Sequence, residues 1–215
     1  MSLLLHPSAL PPAFRMIGLF LTFSVFPMQS VCAEQVPTLS SFVRQETSIR
    51  IDGAQKTAGR VMFAARVKVL TQRNDESLLE ITGWHQSGAK RVLYAKPGKR
   101  IIDLVLKKSA TSRMIELSRW QDPDTDLLWI QAAFQGWIKS DSLVSSDTSL
   151  WIEAETLFTT NCNKCHQLRI PHHYTVNQWG SHIKVMGPRT GLPKAKQRKI
   201  LKFLQYRAMD ITDGH

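Results

Sequence analysis

The sequence predicts a β region followed by an all-α region. Three observations give that class. Between Arg50 and Ser146, short apolar runs alternate with turn-like clusters, the pattern of a small barrel or sandwich. From Ser149 onward, apolar residues recur at spacings of three and four, the period of a helix. Within that helical stretch, Cys162-Asn163-Lys164-Cys165-His166 reads C-x-x-C-H, the attachment signature of a c-type haem.

The elements follow in chain order. Met16 to Met28 is an apolar run preceded by Arg15, and Val31-Cys32-Ala33 places small residues at cleavage spacing. Residues 1–33 therefore read as a secretory signal peptide, and the run is too short for a comfortable membrane span. An uncleaved anchor and a start at Met16 are the alternatives. Residues 34–49 are polar, a linker or a peripheral strand.

Residues 50–146 form the β domain. Its strand runs are Arg60–Leu70, Ser77–Trp84, Arg91–Tyr94, Ile101–Leu106, Leu127–Phe134 and Gly136–Ile138. The separators are Arg73-Asn74-Asp75, Gln86-Ser87-Gly88, Lys96-Pro97-Gly98-Lys99 and Gln121-Asp122-Pro123-Asp124. Val67 to Leu70 and the later Gln135-Gly136-Trp137-Ile138 with Leu143 resemble the start and end of a bacterial SH3-like barrel. Trp84, Trp120, Trp129 and Trp137 read as core of so small a barrel, with a peptide groove as the alternative.

Asp141 to Thr148 is rich in serine and aspartate and reads as a linker. Residues 147–215 form the helical domain. Ser149–Asn161 puts Trp151, Ala154, Leu157 and Phe158 on one face and runs into the cysteine motif. Tyr174–Val185 carries Trp179 and Ile183 on one side, with Met186 just beyond. Lys194–Met209 is the third helix, and its Phe203 and Leu204 are expected to pack on Leu157 and Phe158.

The motif spacing has a chemical reason. Cys162 and Cys165, a helical turn apart, reach two vinyl groups of one porphyrin and form thioethers. His166 then supplies an axial nitrogen to the iron. One covalent haem c is the cofactor expected. The competing readings are a structural zinc site completed by His172 or His173, and a redox dithiol. The sixth iron ligand is open among Met186, His182, His172 and His173. Met186 is favoured because Gly187-Pro188 stops its helix beside it.

Charge narrows the partners. The 215-residue chain carries a formal net charge of +11, and signal cleavage removes only Arg15 among its charged residues. Basic charge points to nucleic acid, anionic lipid or acidic protein. Export points away from nucleic acid, and loss of the signal leaves no stable membrane span. Lys164, Arg169, Lys184, Arg189 and Lys199 lie near the motif in sequence and suit an acidic partner.

The residues also resemble a known family. Gly83-Trp84-His85-Gln86, Arg91 to Ala95, Gly98 to Ile101, Cys162 to His166, Asn177-Gln178-Trp179 and Met186 to Arg189 are similar to the C-terminal periplasmic part of the pentahaem c-type cytochromes of trimethylamine N-oxide reductase systems. That resemblance implies an SH3-like barrel followed by a monohaem cytochrome c domain. It implies a periplasmic electron carrier and not an enzyme. The donor implied is a membrane-bound cytochrome, and the acceptor a molybdenum-dependent N-oxide or S-oxide reductase. The family's tetrahaem module has no counterpart here, since the chain has one C-x-x-C-H. The competing function is a haem-based redox or ligand sensor whose barrel binds a protein.

Overall fold

Ten strands precede three helices in the computed structural model, which describes residues 40–54 and 56–211. The expected signal peptide, residues 1–33, lies outside the described residues. The strands are β1 (Ser40–Val43), β2 (Thr47–Arg50), β3 (Thr57–Val61), β4 (Arg66–Arg73), β5 (Glu76–Gln86), β6 (Val92–Lys96), β7 (Lys99–Leu106), β8 (Ile115–Gln121), β9 (Leu128–Lys139) and β10 (Leu143–Val144). All pairings are antiparallel, in the order β10-β1-β4-β5-β6-β7-β3-β2-β9-β8. β5 also pairs with β9 along its whole length, from Glu76 opposite Lys139 to Gln86 opposite Trp129. The ladder therefore returns to β5 and curls the sheet around an apolar interior.

Period-two alternation fills that interior. Ser77, Leu79, Ile81, Gly83 and His85 of β5 point inward, and the residues between them are less buried. Leu79, Ile81, Leu93, Leu104, Phe134 and Ile138 are fully enclosed. Gly136 is required where β2 crosses β9. A Cβ there would lie 2.6 Å from Ile49 Cγ1 and 2.8 Å from the Arg50 carbonyl oxygen.

The helices are α1 (Thr148–Cys162), α2 (Val176–Met186) and α3 (Lys194–Tyr206). α2 opens with a capping box, in which the Gln178 N–H donates to the Thr175 hydroxyl and the Thr175 N–H donates to Gln178 Oε1. Phe158 of α1 meets Phe203 of α3 with ring centroids 6.0 Å apart.

The fold class read from the sequence is corrected here. A small SH3-like barrel followed by a separate all-α domain does not form. A ten-stranded antiparallel sheet carries three short C-terminal helices, and the two layers share a core. Helices of 15, 11 and 13 residues offer too little apolar surface to close a core alone. Phe42, Phe63, Ala64 and Ile101 from the sheet region complete it. Alternation along β1 explains how: Phe42 faces the helices and Val43 the sheet interior.

Polar contacts fix the same junction. Lys202 Nζ of α3 donates to Asp103 Oδ1 of β7 at 2.6 Å, with both side chains buried. Gln205 Nε2 donates to the Arg100 carbonyl, and Asn177 Nδ2 to that of Gly98. Among the described residues, no helix is long and apolar enough to cross a membrane.

Candidate functional site

The cysteine motif sits where α1 ends. Cys162 is the last helical residue and Asn163 its cap, so Lys164, Cys165 and His166 leave the helix at the surface. α1 is held by the face that its spacing predicted, with Trp151, Ala154 and Phe158 buried. α2 ends at Met186 because Pro188 has no N–H to continue the ladder. Gly187 is buried against α3, where a Cβ would lie 2.5 Å from Gln197 Oε1.

These three segments line one cleft that opens to solvent. Phe158, Trp179, Ile183 and Ile200 give it apolar walls, and Cys162, Cys165, His166 and Met186 all line it. Trp179 is locked in place by donating from Nε1 to the Pro171 carbonyl at 3.0 Å. Among the described residues no carboxylate lines the cleft, whereas Lys164, Arg169 and Arg189 do.

The donor set fits a covalently held haem. Two unbridged cysteines stand three residues apart. The His166 Nδ1–H donates to the Gln167 carbonyl at 2.7 Å, which fixes the tautomer and leaves the Nε2 lone pair for a metal. A thioether and apolar walls complete the set. Burial pushes the Cys162 thiol up from its ordinary range. A redox dithiol needs the opposite, a depressed thiolate. Among the described residues, no three His, Cys, Asp or Glu side chains gather into a metal site, so His172 and His173 do not complete a zinc set.

The other candidate ligands stand elsewhere. His172 and His173 are exposed and pack on each other, with ring centroids 4.9 Å apart. His182 packs on Tyr174 and Trp179 at 4.5 and 5.5 Å. Burial, then the charge of Arg169, lowers its pKa. None of the three lines the cleft. Lys199 is committed to Glu153 at 2.6 Å and to the Phe63 ring, away from the cleft. Sequence reading missed Gln197. It is buried, lines the cleft, and ties the loop after α2 by donating from Nε2 to the Leu192 carbonyl at 2.7 Å. The available signal was a glutamine on α3's apolar stripe, in line with Ile200 and Leu204.

Comparison with known proteins places the chain among c-type cytochromes. The family described as TorC third cytochrome c domain matches residues 36–143. Cytochrome c-type protein TorC of Escherichia coli O157:H7 is 32% identical over 161 residues, 74% of this chain and 41% of that protein. Cytochrome c-type protein TorY of the same organism is 30% identical over 145 residues, 67% of this chain and 39% of that protein. TorY of Haemophilus influenzae is 31% identical over 130 residues, 60% of this chain and 35% of that protein. The chain thus spans about two fifths of the length of these relatives. No solved structure matches significantly. The family-matched segment contains no cysteine, so the haem-attachment signature lies beyond it, in the helical layer. A cytochrome c assignment implies covalent haem c. On the segment matched and the identity shared along three quarters of its length, this chain belongs to the TorC family of c-type cytochromes.

Proposed function

We propose that the chain is an exported, periplasmic carrier of single electrons with one covalent haem c. Cys162 and Cys165 form the thioethers, His166 Nε2 is the proximal ligand and Met186 the distal one. Residues 1–33 act as the export signal and are removed. The observation that carries this reading is the convergence of two thiols, an oriented imidazole and a thioether on one apolar cleft. When bound, the haem supplies reversible one-electron iron chemistry at its edge.

The chain's own residues do the rest. Phe158, Trp179, Ile183 and Ile200 give the cleft apolar walls against which a porphyrin face can pack. The Gln167 carbonyl holds the His166 ring in register and makes it a better donor. Lys164, Arg169 and Arg189 surround the cleft with positive charge and suit carboxylates, whether on the cofactor or on a partner. The partners proposed are a membrane-bound cytochrome as donor and a molybdenum-dependent N-oxide or S-oxide reductase as acceptor. Similarity to the TorC and TorY cytochromes supports that placement. The chain breaks no substrate bond and is not an enzyme.

Stopped-flow oxidation of the reduced, haem-loaded protein by the acceptor tests the proposal. The rate is expected to fall steeply with added salt, and Arg189→Glu to slow it about tenfold at low ionic strength. A rate indifferent to salt and to that substitution contradicts docking through the basic collar.

A further inference from the structure

At one end of the strand order lies β8, which among the described residues pairs with β9 alone. All seven of its residues are exposed, and Ile115 and Leu117 are 55% and 53% exposed. Such an edge presents unpaired backbone groups and apolar side chains together, an arrangement that monomeric proteins usually blunt.

Its register carries a pattern. The bulge at Leu117 resets the alternation: Ile115, Ser118 and Trp120 lie opposite Ala133, Gln131 and Trp129, on one face. Glu116, Arg119 and Gln121 lie opposite Ala132, Ile130 and Leu128, on the other. A two-fold axis perpendicular to the sheet, passing between Leu117 and Ser118, sets this strand antiparallel to itself. Ile115 then faces the partner's Trp120, on the first face. Glu116, which within its own chain accepts from Lys90 Nζ at 3.1 Å and from Arg119 Nη2 at 3.2 Å, faces the partner's Arg119 on the second, where the same two charges from each copy gather into one network. Without the bulge, that register would put each matched pair on opposite faces. The flanks agree as well. The turn after β8 carries Asp122, Asp124 and Asp126, and the segment before it carries Lys107, Lys108 and Arg113.

We propose that β8 is a homodimerisation edge, on which two copies of the chain pair antiparallel in this register to continue the sheet. The occupant is a second copy because apolar, acidic and basic positions all meet their complements under one two-fold axis. A lipid surface fits less well, since the three aspartates beside Trp120 repel anionic headgroups.

Sedimentation velocity on the haem-loaded full chain tests this. The wild type is expected at twice the chain mass. Glu116→Arg and Arg119→Glu each place like charges opposite one another, and each is expected to raise the dissociation constant about tenfold or more. The double variant E116R/R119E restores complementarity and is expected to return within about threefold of wild type. The haem spectrum, which does not involve this edge, reports that each variant is folded. A protein that stays monomeric up to its solubility limit overturns the proposal, and more so if the monomer sediments with anionic vesicles. A dimer indifferent to both single substitutions overturns it equally.

Discussion

At the scale of the residue, Met186 and His182 separate cleanly. They lie four positions apart on α2, which from spacing alone lets both reach one metal. The structure turns Met186 into the cleft and seats His182 between Tyr174 and Trp179. Met186→Ala is therefore expected to abolish the weak far-red band of methionine-ligated oxidised haem and to open the reduced protein to carbon monoxide. His182→Ala is expected to leave both unchanged, and the two spectra decide it. Asp210 gives a second prediction. Its Oδ1 accepts from the Val176 N–H at the start of α2, and its Oδ2 from Lys99 Nζ at 2.6 Å. Burial pushes the carboxyl up, but the Lys99 and Val176 hydrogen bonds overcome this and hold it below the ordinary value of 3.8. A depressed carboxylate contributes stability above the unfolded value and loses it as pH falls through the folded one. Asp210→Asn is expected to cost about 1 kcal/mol at neutral pH and to flatten the decline below about pH 4, read by denaturant melts across pH. The C-x-x-C-H pattern is read residue by residue, because its spacing is local. Gln197 is not, because its role depends on Gly187 and Leu192 folding back onto it.

At the scale of the element, legibility followed burial. The three helices were visible because each buries one stripe, and the predicted spans overlap α1, α2 and α3 closely. Strand β5 was visible for the same reason, through strict alternation. Arg60–Leu70 read as one run but contains two strands, β3 and β4. They are separated by a turn in which Ala64 takes a left-handed φ of 53°. Nothing in the composition of Met62-Phe63-Ala64-Ala65 signals that turn. Strand β8 escaped notice because both its faces are exposed and it has no inside to encode. The stretch read as a linker holds β10, which pairs with β1. Gly136 shows how tightly the central strands fit. Gly136→Ala is expected to cost about 1–3 kcal/mol in a chemical melt, because Ile49 and the Arg50 carbonyl occupy the space of the added methyl. An unchanged midpoint would mean that β2 does not press on β9.

At the scale of the whole molecule, the shared core makes the helices that carry the cysteine motif dependent on the sheet. Ile101 and Phe63 lie in the same cluster as Phe158, Trp179 and Phe203, and the buried Lys202–Asp103 pair crosses the same boundary. A sequence pattern reports which face of a helix is apolar, but not whether another helix or a sheet covers it. That is why the separate all-α domain was a natural expectation and an incorrect one. The described residues form one compact unit, so calorimetry is expected to show a single cooperative unfolding transition. Two resolved transitions would indicate that the layers stand independently. The central claim is the covalent cofactor, and intact-mass spectrometry of the protein exported from a host competent in cytochrome c maturation tests it most directly. The account predicts the polypeptide mass plus one haem, retained under denaturation and lost in C162A/C165A. A mass equal to the bare polypeptide, with no haem absorbance, would contradict it.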